Sequence, residues 1–170
     1  IRDVYAVTDP HGVHPRISVS FRPILAESEG VAWDKAHEIL AGVESGALKQ
    51  GIVPLGSDAP RPESVGSQRL MDLAAKKDIH DERLYLPIAG ASGAPGNTSA
   101  LVGTPEQVAD ALLHYYDLGV TTILIRGFAP FEDAIDYGRE LIPRLRALVT
   151  EHDATKETTA GPASGTKAHA

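Results

Sequence analysis

The sequence contains no cysteine, which excludes disulfides, thiolate metal ligands and a cysteine nucleophile, and is consistent with a reducing cytoplasm. Redox chemistry, if there is any, would have to come from a cofactor. No stretch approaches the roughly 18 uninterrupted apolar residues of a membrane span. No charged leader precedes an apolar run, so no signal peptide is expected. Positive charge is scarce: 16 Lys and Arg face 23 Asp and Glu, for a formal net charge of -7. The cations are scattered rather than gathered into a stripe, which argues against a nucleic-acid or anionic-membrane surface. No Gly-x-Ser-x-Gly elbow supports Ser-His-Asp catalysis. The closest histidines, His11 and His14, share a turn with no third ligand nearby, so no metal is expected.

What is present is an ordinary globular composition, 42% hydrophobic over 170 residues, enough for one core. The length falls short of the roughly 250 residues of a closed (β/α)8 barrel. Asp3-Val4-Tyr5-Ala6-Val7 and Ile17 to Leu25 read as strands, being short apolar or alternating runs. Ser28 is placed to cap a helix whose apolar residues, Val31, Ala32, Ala36, Ile39, Leu40 and Val43, recur at spacings of three and four. From about 51 to 98 most of the Pro and Gly collect, around one helix near Ser67 to Ala75. A loop of that length reads as a functional insertion or lid, with Gly90-Ala91-Ser92-Gly93 supplying flexibility.

The texture then changes. Leu101-Val102-Gly103 reads as a short buried strand, and Thr104-Pro105-Glu106-Gln107 as a capping box with Pro at the first helical position. Val108, Ala111, Leu112 and Tyr115 form the inner stripe of that helix, and Gly119 ends it. Val120 to Ile125 is apolar and β-branched, the pattern of a strand buried on both faces of a parallel sheet. After Arg126-Gly127-Phe128-Ala129-Pro130 a last helix follows, with Pro143 expected to kink it. Strand, helix, strand, helix is a βαβα unit. Residues 1–150 are expected to form one partial domain and residues 151–170 a disordered tail.

Several pieces carry a family resemblance: Leu101 to Ala109, Asp117-Leu118-Gly119-Val120-Thr121-Thr122, Arg126-Gly127-Phe128, Asp136 to Pro143, Ile17 to Leu40 with Glu27-Ser28-Glu29 and Ala32-Trp33, and Ser64 to Arg69. Together they resemble the C-terminal part of luciferase-like flavin monooxygenases, nearest to alkanesulfonate monooxygenases. The resemblance implies an incomplete (β/α)8 TIM barrel of the bacterial-luciferase type, carrying barrel strands five to eight. It also implies reduced, dissociable FMN supplied by a separate flavin reductase, oxygen as co-substrate, a small organic substrate of alkanesulfonate-like or other organosulfur type, and a homo-oligomer. Ile1 in place of an initiator Met, and the lack of the family's flavin-phosphate segment upstream of Asp3, suggest a chain cut relative to a complete enzyme. The helix the family places between the first two of these strands is replaced by the His11-Gly12-Val13-His14 link, too short for a strand-helix-strand crossover.

Where the alkanesulfonate enzymes bear an Arg and a His on strand six, an Arg in the lid and a Tyr after strand eight, this chain has Ser20, Arg22, Ala94 and Phe128. Strand alternation puts Ser20 and Arg22 on one face, and the planar fork of Arg22 suits a flavin or substrate anion. Its competing role is a structural ion pair. Arg126 ends an apolar strand on the side where such barrels keep their sites, and Phe128 can line the pocket. Gly103 opens a helix N-terminus able to receive an anion, against the plainer reading of a satisfied cap. No general acid or base stands out. Two alternatives stay open: deazaflavin-dependent hydride transfer on the same fold, and a non-catalytic half-barrel remnant.

Overall fold

A computed structural model describes residues 1–47, 62–94 and 98–160. The chain is mixed α/β, with one five-stranded sheet in the order β2-β3-β4-β1-β5. β1 (Ile17–Leu25) is central, flanked in parallel by β4 (Ala100–Gly103) and β5 (Val120–Ile125). A short antiparallel hairpin, β2 (Ile79–His80) and β3 (Leu84–Tyr85), extends the β4 side. The partial barrel is therefore an open sheet whose parallel strands are joined through helices.

The strand order has a physical logic. β1 leads through α2 (Glu29–Glu44) toward β4, and β4 leads through α5 (Pro105–Asp117) back across β1 to β5. Right-handed crossovers running in opposite directions place their helices on opposite faces. One face accordingly packs Ile24, Ala100 and Val102 against Ala32, Ala36 and Val43 of α2. The other packs Phe21, Leu25 and Leu101 against Val108, Ala109 and Leu112 of α5. In a closed barrel the inner face packs on itself, whereas this open sheet is covered by helices on both sides. Complete burial of Ile24, Leu101 and Leu112 contributes roughly 1.5–3 kcal/mol each.

The capping signals fold as expected. The Ser28 hydroxyl accepts the Val31 N–H at 3.4 Å. The Gln107 N–H reaches Thr104 Oγ1 at 3.3 Å, while Gln107 Oε1 accepts the Thr104 N–H at 2.9 Å.

Several expectations are corrected. Asp3 to Val7 is not a strand but the middle of α1 (Arg2–Thr8). Periodicity does not separate a short apolar run in a helix from one in a strand, and the link to β1 is too short for a parallel crossover. β5 is an edge strand rather than a strand buried on both faces, with Thr121, Thr122 and Leu124 exposed. The insertion, in its described parts, is ordered structure: α3 (Val65–Ala74), the hairpin and α4 (Pro87–Ser92). Its residues 51–61 and 95–97 lie outside the described ones. Gly90 to Ser92 form the last turn of α4, and Gly93 caps it at φ 73°, a left-handed conformation that glycine adopts without cost. Ile88 and Ala89 of α4 are fully buried.

The last helix handles Pro143 through a change of winding. α6 (Pro130–Asp136) passes into a π turn over Tyr137–Leu141 and then into α7 (Ile142–Ala160). A proline inside a helix lacks an N–H and crowds the preceding turn, and a wider turn relieves both effects. α7 also runs ten residues into the segment expected to be tail. Polar anchors to α5 hold it there rather than an apolar stripe: His152 Nε2 lies 2.7 Å from Asp117, Lys156 2.8 Å from the same carboxylate, and the Tyr116 hydroxyl donates to Asp153 at 2.9 Å. The rest of the expected tail, 161–170, lies outside the described residues. No helix among the described residues is long and apolar enough to cross a membrane.

Candidate functional site

The parallel strands end together at Leu25, Gly103 and Ile125, and two hollows open at these carboxyl ends. The larger, about 550 Å³, has an apolar floor including Leu25, Val31 and Pro105 and a charged wall that includes Glu27, Lys35 and Arg144. The smaller, about 290 Å³, is lined by Arg22, Arg126, Gly127 and Tyr137. It lies between the carboxyl ends of β1 and β5, whereas the crossovers that run in opposite directions leave β1 and β4, beside the larger hollow, the position at which open α/β sheets bind ligands.

Local geometry creates this crevice. The last ladder bond between β1 and β5 runs from the Arg126 N–H to the Phe21 carbonyl at 3.0 Å, after which β5 turns away. Alternation sends the next outward backbone groups of β1 from Pro23, which has no N–H to leave unpaired. Its carbonyl accepts the Tyr137 hydroxyl at 2.6 Å. Burial, the largest cause, pushes the Tyr137 phenol far above the usual tyrosine range, so it is a fixed donor.

Arg22 is buried at 7% exposure. Its Nη1 donates to the Gly127 carbonyl at 2.5 Å, and its guanidinium lies 5.0 Å from the centre of the Phe128 ring, within cation–π range. Desolvation, and then the positive charge of Arg126, lower its pKa. Two guanidiniums therefore share one small space. The compensating carboxylate is Asp133, buried at 6% exposure, which accepts the Ala129 N–H at 2.9 Å and pairs with Lys35 at 3.6 Å. Gly127 is required here, because a Cβ on it would lie 2.5 Å from Asp133 Cβ.

The structure brings Arg22, Arg126 and Phe128 to one end of the sheet. Ser20 lies one strand step below Arg22 on the same face, and its hydroxyl is buried without a hydrogen-bond partner among the described residues. Gly103 stands apart. Its helix N-terminus is closed by Gln107, while Arg83 donates to the Val102 carbonyl at 3.3 Å and pairs with Glu29 at 2.9 Å. Gln107 Nε2 donates to the same Glu29 carboxylate at 3.1 Å. The plain cap is what the geometry displays there. Sequence reasoning missed Lys35, Asp133 and Tyr137. The one available signal was the spacing of four between Asp133 and Tyr137, which puts both on one helical face.

A family model described as luciferase-like monooxygenase matches residues 1–122. Among solved structures, riboflavin lyase RcaE, crystallised with modified FMN and its substrate riboflavin, superposes with a TM-score of 0.51 at 23% identity, covering 86% of this chain and 35% of that one. DmoA from Hyphomicrobium sulfonivorans superposes with a TM-score of 0.53 at 19% identity, covering 86% and 34%. At these identities the likeness is one of fold. The chain spans about a third of the length of both structures.

Proposed function

Because this chain belongs to the luciferase-like monooxygenase family, we propose that it serves a flavin-dependent oxidoreductase, specifically a monooxygenase using reduced FMN from a separate reductase to oxygenate a small organosulfur compound of alkanesulfonate type. The observation that carries this reading is the pairing, at the strands' carboxyl ends, of an apolar-floored cleft with a cationic crevice. FMN needs both surfaces, a flat apolar bed and a positive site for its phosphate, and the residues present fit that need. Arg22 and Arg126 are the proposed contacts for anionic groups of flavin or substrate, with Ser20 beneath them and Phe128 as the apolar wall; Gly103 contributes through the cap that fixes the start of α5.

Bound flavin would supply the oxygen-activating redox chemistry. The chain's own part is to bind, orient and exclude water. Phe128, buried at 4% exposure, shields the guanidinium of Arg22 on one side, and the fixed Tyr137 donor holds the β1 edge in register. No group in the crevice is required as a proton donor.

The test is oxygen consumption by the purified chain with FMN, a flavin reductase and NADH, with and without an alkanesulfonate. The reading expects substrate-dependent formation of aldehyde and sulfite beyond the reductase-only control. Equal yields with and without the chain reject it, and turnover only with reduced deazaflavin transfers the chain to hydride chemistry.

A further inference from the structure

The larger hollow lies beside the switch point, where the opposed crossovers leave β1 and β4. Its volume of about 550 Å³ is within the range of small-molecule sites, and its charge is uneven. The carboxylates of Glu27, Glu106, Asp136 and Glu140 line it, against the cations of Lys35 and Arg144. Both cations are committed. Arg144 donates through Nε to Glu106 and through Nη1 to Glu140, each at 2.6 Å. Lys35 reaches the Leu25 carbonyl at 3.5 Å and the buried Asp133 at 3.6 Å. Glu27 and Asp136 are left over, with no hydrogen bond or ion pair among the described residues. The winding of the last helix sets this pattern: Asp136, Glu140 and Arg144 follow at spacings of four through the π turn, and all three border the hollow.

We infer that the hollow bordered by α2, α5 and the π turn binds an organic ammonium compound, its cationic group held by Glu27 and Asp136 and its alkyl chain laid on Leu25, Val31 and Pro105. An anionic guest must take Arg144 away from Glu106 and Glu140, and it meets two further carboxylates of its own sign. A cationic guest displaces nothing and finds complementary charge beside an apolar floor. The inference rests on the flavin reading for the fate of the bound compound alone. Within that reading it makes the substrate an amine-bearing organosulfur compound, such as an aminoalkanesulfonate, rather than an unsubstituted alkanesulfonate.

Titration of the isotope-labelled full chain with pentylammonium, pentanol and pentanoate, read by amide chemical shifts, tests it. Pentylammonium is expected to saturate, with its shifts gathered on Leu25 to Val31 and Asp136 to Glu140, and to weaken as salt rises. It should bind roughly fivefold tighter than pentanol, the size expected of two exposed ion pairs, and pentanoate should bind more weakly than either. Glu27→Gln combined with Asp136→Asn should bring pentylammonium down to the affinity of pentanol and leave pentanol unchanged. Both residues are exposed, so the fold is kept, checked by an unchanged thermal midpoint. Asp110→Asn, which removes an exposed carboxylate outside the hollow, should leave binding as it is and so exclude diffuse attraction to a chain of net charge -7. Pentanoate binding as tightly as pentylammonium, an unchanged affinity in the double variant, an equal loss in Asp110→Asn, or no saturation by millimolar pentylammonium overturns the inference. Oxygen uptake with FMN, a reductase and NADH separates it from the flavin reading. Ammonium binding without turnover of an aminoalkanesulfonate leaves the site standing and removes the flavin reading. Equal turnover of an alkanesulfonate and its amino analogue keeps the flavin reading and overturns the ammonium site.

Discussion

The Tyr137 hydroxyl donates to the Pro23 carbonyl at 2.6 Å across 114 residues of sequence. The bond closes the edge of β1 where β5 departs, and it ties the π turn of the last helix to the sheet. Replacing Tyr137 by Phe leaves a buried carbonyl unpaired. The expected cost is about 1–3 kcal/mol, measured by urea denaturation, with anion binding at the crevice weakened as its wall loosens. An unchanged midpoint would show that the bond contributes nothing to the fold.

Gly127→Ala places a Cβ 2.5 Å from that of Asp133. The turn must shift, and with it the carbonyl that receives Arg22. Overpacking of this kind costs about 1–3 kcal/mol. A lower melting temperature together with weaker methanesulfonate binding is expected, and a variant indistinguishable from wild type in both would contradict the described turn.

Acid should loosen the outer layer. The Glu29 carboxyl is held below its ordinary range by hydrogen bonds first from Arg83 and then from Gln107. Glu106 is lowered by its own backbone N–H and then by Arg144, and Asp117 first by Lys156. A carboxyl whose folded pKa is depressed contributes stability above its unfolded value and loses it as pH falls through the folded one. The loss therefore falls below the ordinary carboxylate range, and stability should be level with respect to these groups from there up to neutrality. A midpoint that rises on acidification through that window would have the wrong sign. All three groups are exposed, so the effect is also expected to shrink with added salt.

The end of α7 is anchored by Asp117, which receives both His152 and Lys156, beside the bond from Tyr116 to Asp153. Asp117→Asn should speed amide exchange over residues 150–160 while leaving the β1 and β4 amides protected. Uniform protection in the variant would mean that the helix holds itself by other contacts.

The sequence made legible what depends on short-range rules. The Thr104 box, the Ser28 cap, the stripe of α5 and the central β1 all follow from side-chain chemistry within a few residues. Misread elements depend on distant partners. Asp3 to Val7 has strand-like composition but no strand within reach, and it winds into a helix. Val120 to Ile125 carries residues suited to a buried strand, yet the crossover direction of α5 delivers it to the sheet edge. Residues 151–160 show no apolar period because ion pairs, rather than packing, fix them. At the site, strand alternation sets Arg22 and Ser20 on one face, whereas Asp133, Lys35 and Tyr137 come together only when α2, α6 and the π turn meet over the same strand ends.

The most direct test of the central claim is anaerobic fluorescence titration of the chain with reduced FMN, with Arg126→Gln run alongside. Saturable binding of reduced FMN in the micromolar range is predicted, tighter than binding of oxidised FMN. No binding of reduced FMN up to several hundred micromolar, by a chain that unfolds cooperatively, would contradict it.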